Sequence, residues 1–442
     1  MKVVHVPFSF HPDPAGGTEV YVEALARYQQ EMGLNVTVAA PGMKNDAYMH
    51  QGLAVRRYRV SGEKLALRNL YAMDDPVAAD SFAPVLSEEA PDLLHLHAFT
   101  SGVSNQLVSL AKTYGIPVVF TYHTPTVSCQ RGTLLYLGTE VCDGRLDARR
   151  CASCTLQGLG MSSSVSKIIG GLPAAIGERI GHWGLSGGLW TALQMTELLR
   201  LRQQAFGELL AEVDHIIAVC QWVFDLLIRN GADPEKMTLS RQGLSSQPGP
   251  PLSKHKGDGP VRVAFFGRAS RVKGLDILVD ALLRTPTLPV VLDAFAIVQD
   301  EEGKNLVEAL TRRCAGDSRI RFLPPVPAGD VPLALQSYDL LAVPSQWLET
   351  GPLVIYEAFA AGVPVIGSDL GGIAELVRHE RNGLLVRPDS PEAWARALSR
   401  VVNEPDLYTR LRSGVEPPRT MRSAAEEMVA VYQKRIGARV LA

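Results

Sequence analysis

Glu349 and Glu357 enclose seven residues in the segment Glu349-Thr350-Gly351-Pro352-Leu353-Val354-Ile355-Tyr356-Glu357. An apolar run, Leu340 to Ser345, precedes them and reads as a strand ending in a turn. Ala358 to Gly367 follows and reads as a helix passing through a glycine turn into the next strand. Glu349 is thus expected in the loop at a strand's carboxyl end, and Glu357 about two turns into the next helix. In open α/β sheets that edge is where ligands bind. Two carboxylates there offer acceptors, which suits a ligand rich in hydroxyl groups.

Other residues could share that chemistry. Gly16-Gly17 follows a first apolar strand and opens a helix, where backbone N–H groups can approach a diphosphate. Gly267-Arg268-Ala269-Ser270-Arg271-Val272-Lys273-Gly274 follows another strand and carries three cations. His123 and His97 each end a strand. Cys129, Cys142, Cys151 and Cys154 cluster, the last two as C-x-x-C. Four thiolates at that spacing make a plausible tetrahedral structural zinc site, with disulfides or unliganded thiols as the alternatives. Cys220 and Cys314 read as core or helix residues.

The elements that position these groups alternate strand and helix in both halves, which implies parallel sheets covered on both faces. Strands are expected at Val3–Val6, Val36–Ala39, Leu93–Leu96 and Val118–Thr121, then again from Val261–Phe266 onward. The stretch 245–260 is rich in Pro, Gly, Ser and Lys and reads as a linker. At 442 residues, with 46% hydrophobic and 20% charged residues, the chain suits two or three soluble domains. A net charge of −2 gives no ground for nucleic-acid binding. The basic clusters at 56–59 and 145–150 read mainly as solvated surface. The first ten residues lack a signal peptide's continuous apolar core, and no stretch offers about twenty uninterrupted apolar residues for a span. A cytoplasmic protein with reduced thiols is expected.

The segment 344–376, with Gly351, Glu357, Gly362, Pro364, Gly371 and Gly372 in register, resembles the sugar-nucleotide signature of retaining glycosyltransferase family 4. That resemblance covers most of the chain and implies the GT-B fold: two Rossmann-like doubly wound domains facing across a cleft. It divides the chain into an acceptor-side domain (1–244) with a Cys-rich and helical insertion at about 125–210, the linker, a nucleotide-sugar domain (261–420) and a returning C-terminal helix (421–442). It implies sugar transfer from a nucleotide-diphosphate sugar, with UDP the commonest base and GDP next, to a hydroxyl acceptor such as a glycolipid or polysaccharide intermediate. Arg268 and Lys273 would meet the diphosphate, so that no catalytic metal is needed. Glu349 would hold sugar hydroxyls and stabilise charge, and Glu357 would accept from the ribose. Backbone N–H groups of Gly351, Leu353 and Val354, between Thr350 and the helix that Pro352 opens, would meet the diphosphate or sugar. Gly16 and Gly17 would line the donor phosphates, and His123 would face the donor sugar. An epimerase or phosphorylase of the same fold and a non-catalytic nucleotide-sugar binder are the competing readings.

The stretch from Met161 to about Leu210 departs from the family's compact pattern. It reads as a lid or acceptor platform, as a helical packing extension, or as an interfacial element touching a membrane that holds a lipid-linked acceptor, which would place the protein at the membrane's inner face.

Overall fold

The computed structural model describes residues 1–13, 16–185, 187–245 and 259–440. It divides into two compact units: Met1–Arg241 with Met421–Ala442, and Gln242–Thr420. The linker expected over 245–260 lies almost wholly outside the described residues.

The first unit is built on strands β1 (Lys2–Val6), β2 (Asn35–Gly42), β3 (Asp46–His50), β4 (Leu53–Arg59), β5 (Leu93–Leu96), β6 (Val118–Tyr122), β9 (His215–Ala218) and β10 (Met237–Leu239). They form one sheet in the order β10-β9-β6-β5-β1-β2-β4-β3. All neighbours are parallel except β3 with β4. β1, β5, β6 and β9 are buried along nearly their whole length, as a sheet covered on both faces requires. Val22 and Leu25 of helix Gly17–Glu31 share one core with Met421, Met428 and Tyr432 of helix Met421–Val440. The chain's last helix therefore completes the unit that its first strand begins.

Two short strands, β7 (Leu135–Tyr136) and β8 (Glu140–Val141), form a small ribbon after β6. Helices Ala148–Gly158, Ser163–Gly170, Ala174–His182 and Gly188–Glu212 follow. Ala152, Leu156, Met195, Leu198 and Leu199 give that layer its own small core with Tyr71.

The second unit carries β11 (Val261–Arg268), β12 (Val290–Ile297), β13 (Ile320–Phe322), β14 (Leu340–Val343), β15 (Val365–Ser368) and β16 (Gly383–Val386). Their order is β13-β12-β11-β14-β15-β16, all parallel. Strand order reverses between β11 and β14, and the crevice above such a switch point is where doubly wound sheets take ligands.

Two expectations change. The β3–β4 hairpin was not legible, and within it Arg57 is buried rather than solvated. Its guanidinium bonds to the Asp13 carboxylate and the Pro41 and Phe10 carbonyls, and so clamps the loop after β1. Glu357 lies in helix Leu353–Ala360, which starts only at Leu353, so it stands one turn in rather than two.

Candidate functional site

The carboxyl ends of β11 and β14 bring Lys273 and Glu349 together. After β11 the chain makes a tight turn at Arg271–Lys273 and enters helix Leu275–Leu283 through Gly274, whose φ is +70°. A Cβ on Gly274 would lie 1.9 Å from the Pro344 carbonyl oxygen, so only glycine lets this turn press against the end of β14. The Gln346 N–H donates to the Val272 carbonyl at 2.7 Å and locks the two loops together. Lys273 Nζ then reaches Glu349 Oε1 at 2.5 Å.

The same oxygen accepts from Ser345 Oγ at 2.9 Å and from Trp347 Nε1 at 2.8 Å. The ammonium also sits 5.5 Å from the centre of the Trp347 ring. Glu349 is buried. Burial pushes its carboxyl up, but the charge of Lys273 and the bonds from Lys273, Trp347 and Ser345 outweigh that, and hold it below the usual carboxylate range. A stabilised anion of this kind is a poor nucleophile and a good electrostatic partner for developing positive charge.

Glycines on the far side hold the loop. The Gly372 N–H donates to the Glu349 carbonyl at 2.7 Å, and a Cβ on Gly372 would lie 2.7 Å from both that oxygen and the Gly351 nitrogen. Gly351 has φ +131°, so the loop needs glycine there too. Pro352 caps the helix, and Leu353 and Val354 form its first turn after Thr350. Burial alone lifts Glu357 to about 7. Arg268, at the end of β11, is exposed, as is Arg271.

The first unit places Gly16 and Gly17 at the start of helix Gly17–Glu31. Open space lies above Gly17, but the Gly16 N–H already donates to the Glu19 carboxylate at 2.8 Å. A phosphate there would meet Gly17 and the N–H groups after it, beside a negative charge.

His123 belongs to a chain of side chains that sequence alone does not reveal. Its Nε2 lies 3.0 Å from His97 Nδ1, His97 Nε2 lies 2.9 Å from His5 Nδ1, and His5 Nε2 lies 2.8 Å from Gln29 Oε1. Burial lowers His5 to about 4 and His123 to about 3, and drives His97 well down, so all three rings are neutral. A carbonyl oxygen only accepts, so Gln29 makes His5 Nε2 the donor. The polarity propagates: His97 Nε2 donates to His5, and His123 Nε2 donates to His97. Nδ1 of His123 is then the ring's acceptor nitrogen, and it is buried. His95 bonds Thr121 Oγ1 at 2.7 Å and the Tyr432 hydroxyl at 2.5 Å.

Among the described residues, two groups have three ligand atoms within 4.8 Å of one another: His5–His95–His97 and His11–Glu23–His50. The first is committed to the hydrogen bonds above. In the second, His11 bonds Glu23 at 3.0 Å, and Arg27 holds the same carboxylate. The four cysteines line one cavity of about 40 Å³ beside Leu134 and Leu135, but among the described residues no three of their sulfurs lie within that distance of one another. The backbone N–H of Leu137 donates to Cys154 Sγ at 3.2 Å, and burial pushes the Cys151 thiol up to about 11.

Residues 16–242 match the family described as Glycosyl transferase 4-like domain, and residues 253–416 that described as Glycosyl transferases group 1. A D-inositol 3-phosphate glycosyltransferase of Arthrobacter sp. (strain FB24) is 27% identical over 409 residues, covering 88% of this chain and 83% of that protein. Proteins of the same name from Jonesia denitrificans and Salinispora tropica are 31% and 32% identical, each over 47% of this chain. The chain spans about half the length of these two relatives, 54% and 48%. Sucrose-phosphate synthase from Thermosynechococcus elongatus superimposes with a TM-score of 0.69 at 19% identity, over 99% of this chain and 100% of that one. HepE of Anabaena, solved with UDP, superimposes with a TM-score of 0.65 at 16% identity, over 98% and 100%. Likeness at such identities is one of fold, and the fold is GT-B.

Proposed function

The chain belongs to the glycosyl transferase 4-like family, and we propose that it moves a sugar, with retention, from a nucleotide-diphosphate sugar to a hydroxyl acceptor. The observation that carries this reading is the Lys273–Glu349 pair at the β11–β14 switch point, with Ser345 and Trp347 on the same carboxylate oxygen.

Each residue then has a task. Arg268 and Lys273 neutralise the charge that grows on the departing diphosphate, with the N–H groups of Gly351, Leu353 and Val354. Glu357 accepts from the ribose hydroxyls. Glu349 holds donor-sugar hydroxyls and stabilises the oxocarbenium-like transition state. His123 accepts from a sugar hydroxyl near the reacting carbon. The acceptor oxygen attacks the anomeric carbon from the side the diphosphate leaves. One carbon–oxygen bond forms as the other breaks, and the acceptor's proton passes to the leaving phosphate oxygen. Protein cations supply the charge compensation, so no step calls for a metal ion. UDP is the nucleotide we favour, since HepE, a protein of the same fold, was solved with UDP and with UDP-glucose. The acceptor we favour is a glycolipid or polysaccharide intermediate met on the cytoplasmic side.

A thermal-shift panel of UDP, GDP, ADP, TDP and CMP without added metal tests the donor site. UDP is expected to stabilise the protein most. Glu349→Gln keeps the shape of the side chain and removes its charge. It should still show the UDP shift while transfer falls about a hundredfold or more. No shift with any nucleotide, or near-normal turnover in the variant, would sink the reading.

A further inference from the structure

Helices Ser163–Gly170 and Ala174–His182 bury Ile180 and pack Ile169 on the small core, yet they leave most of their other large apolar side chains in water. A helix on a soluble protein buries its large apolar side chains and shows water its small and polar ones. Here Ser166 and Gly170 face inward, and a Cβ on Gly170 would lie 2.4 Å from Ser153 Oγ. Val165 and Ile168 lie on the outer face, and Ile168 is 71% exposed. In the next helix Gly177 packs inward, where a Cβ would lie 2.8 Å from Glu197 Cβ. Ile176, Arg179 and Trp183 share its outer face at positions i, i+3 and i+7, and Trp183 is 70% exposed. Leu159 just before this pair, and Leu189 and Trp190 just after it, are exposed too. Small residues make the closest approaches, with Ile169 and Ile180 packed beside them, and seven large apolar side chains remain exposed.

Charge says what covers them. Between 159 and 190 the exposed charged side chains are Lys167, Arg179 and Glu178, with His182 beside them, so the balance is cationic. An apolar face carrying tryptophans and edged by Lys and Arg suits the headgroup region of an anionic bilayer, where indole rings and cationic side chains both settle.

We propose that this face, from Leu159 to Trp190, docks the protein on a membrane surface rich in anionic lipid. It lies in the interface and does not span, in keeping with the fact that none of the described helices is long and apolar enough to cross. The inference rests on packing and charge in the first unit and stands apart from the transfer reaction.

Co-sedimentation of the full chain with vesicles tests it. Vesicles of phosphatidylglycerol and phosphatidylcholine should pellet the protein, and phosphatidylcholine alone should do so far less. The variant Ile168→Ser/Trp183→Ser/Trp190→Ser changes only surface positions, and its binding should fall about tenfold or more. Brominated acyl chains should quench the tryptophan fluorescence of the wild type more than that of the variant. Should the triple variant fold poorly, Lys167→Glu/Arg179→Glu should weaken binding through charge alone. No pelleting of the wild type, equal pelleting with and without phosphatidylglycerol, or unchanged binding in a folded variant overturns the proposal. So does a wild-type dimer in sedimentation velocity that the triple variant abolishes, since a second copy would then cover the face.

Discussion

Lys273 and Glu349 act on each other before either acts on a ligand. Both are largely buried, and the lysine offsets the cost of burying the carboxylate. Lys273→Ala would leave that carboxylate uncompensated, which typically costs about 3–5 kcal/mol. The single variant is therefore expected to lose stability as well as diphosphate affinity. Lys273→Ala/Glu349→Gln should regain most of the stability and none of the affinity. Denaturation curves and UDP titrations on the two variants separate these effects; equal stability of the two would mean the pair contributes nothing. Glu357 makes the opposite case. Burial raises its folded value to about 7 from an ordinary 4.5. The folded state thus holds this proton more tightly than the unfolded chain. Its contribution to stability is full below about pH 4.5 and is lost as pH rises through about 7. Glu357→Gln should therefore raise the melting temperature at about pH 8, and progressively less as pH falls. Nucleotide binding runs the other way, because ribose hydroxyls need the ionised acceptor. Wild-type affinity for UDP, relative to the variant, should fall by up to about tenfold per pH unit below 7. Parallel pH profiles for the two proteins would remove Glu357 from the site.

Glycines and strand ends carry the site at the scale of elements. Gly274 and Gly372 each stand where a Cβ would strike backbone, and both belong to patterns visible in the sequence. That is why the loops around Glu349 were legible: close approach demands glycine, and glycine shows. Strand and helix alternation was legible for the same kind of reason, since buried parallel strands are continuous apolar runs. The pairings were not. Lys273 and Glu349 are 76 positions apart, and His5 and His97 are 92 apart. Sheet order decides such partners, and no local pattern encodes it. Trp347 and Ser345 lay inside the signature segment but were silent, because nothing nearby in sequence says that they bond Glu349. The cysteine element sits between these cases, for its spacing was visible and its geometry is only half assembled. We propose that it takes one structural zinc. Thiolates about 2.3 Å from the metal lie about 3.8 Å from one another, so binding would draw the four sulfurs inward around the cavity they share. Purified protein should carry about one zinc per chain, and Cys151→Ser/Cys154→Ser should carry none. Metal-free protein with four freely titrating thiols would refute this.

At the scale of the whole molecule the chain's order and its cores disagree. The second unit, Gln242–Thr420, is inserted between the body of the first and that unit's last helix. Met421, Met428 and Tyr432 lie in one core with Val22 and Leu25, some four hundred positions away. Met428 is fully buried there, so Met428→Ala should cost about 2–5 kcal/mol through lost burial and the cavity left behind. The cost should fall where that core is. Hydrogen exchange read segment by segment should show weakened protection in β1, β2 and helix Gly17–Glu31. Protection in β11, β12 and β14 should hold, because their core of Val263, Leu292 and Leu340 contains no residue of the final helix. Equal loss in both units would mean that the chain unfolds as one cooperative body, and no loss in the first would mean that the helix does not support it. The same experiment bears on function. His95 bonds the Tyr432 hydroxyl, and Gln29, which sets the polarity of the His5–His97–His123 chain, bonds it too. A helix loosened at Met428 should therefore disturb His123 through Gln29 while leaving Lys273 and Glu349 untouched. Transfer should fall more than the UDP shift does.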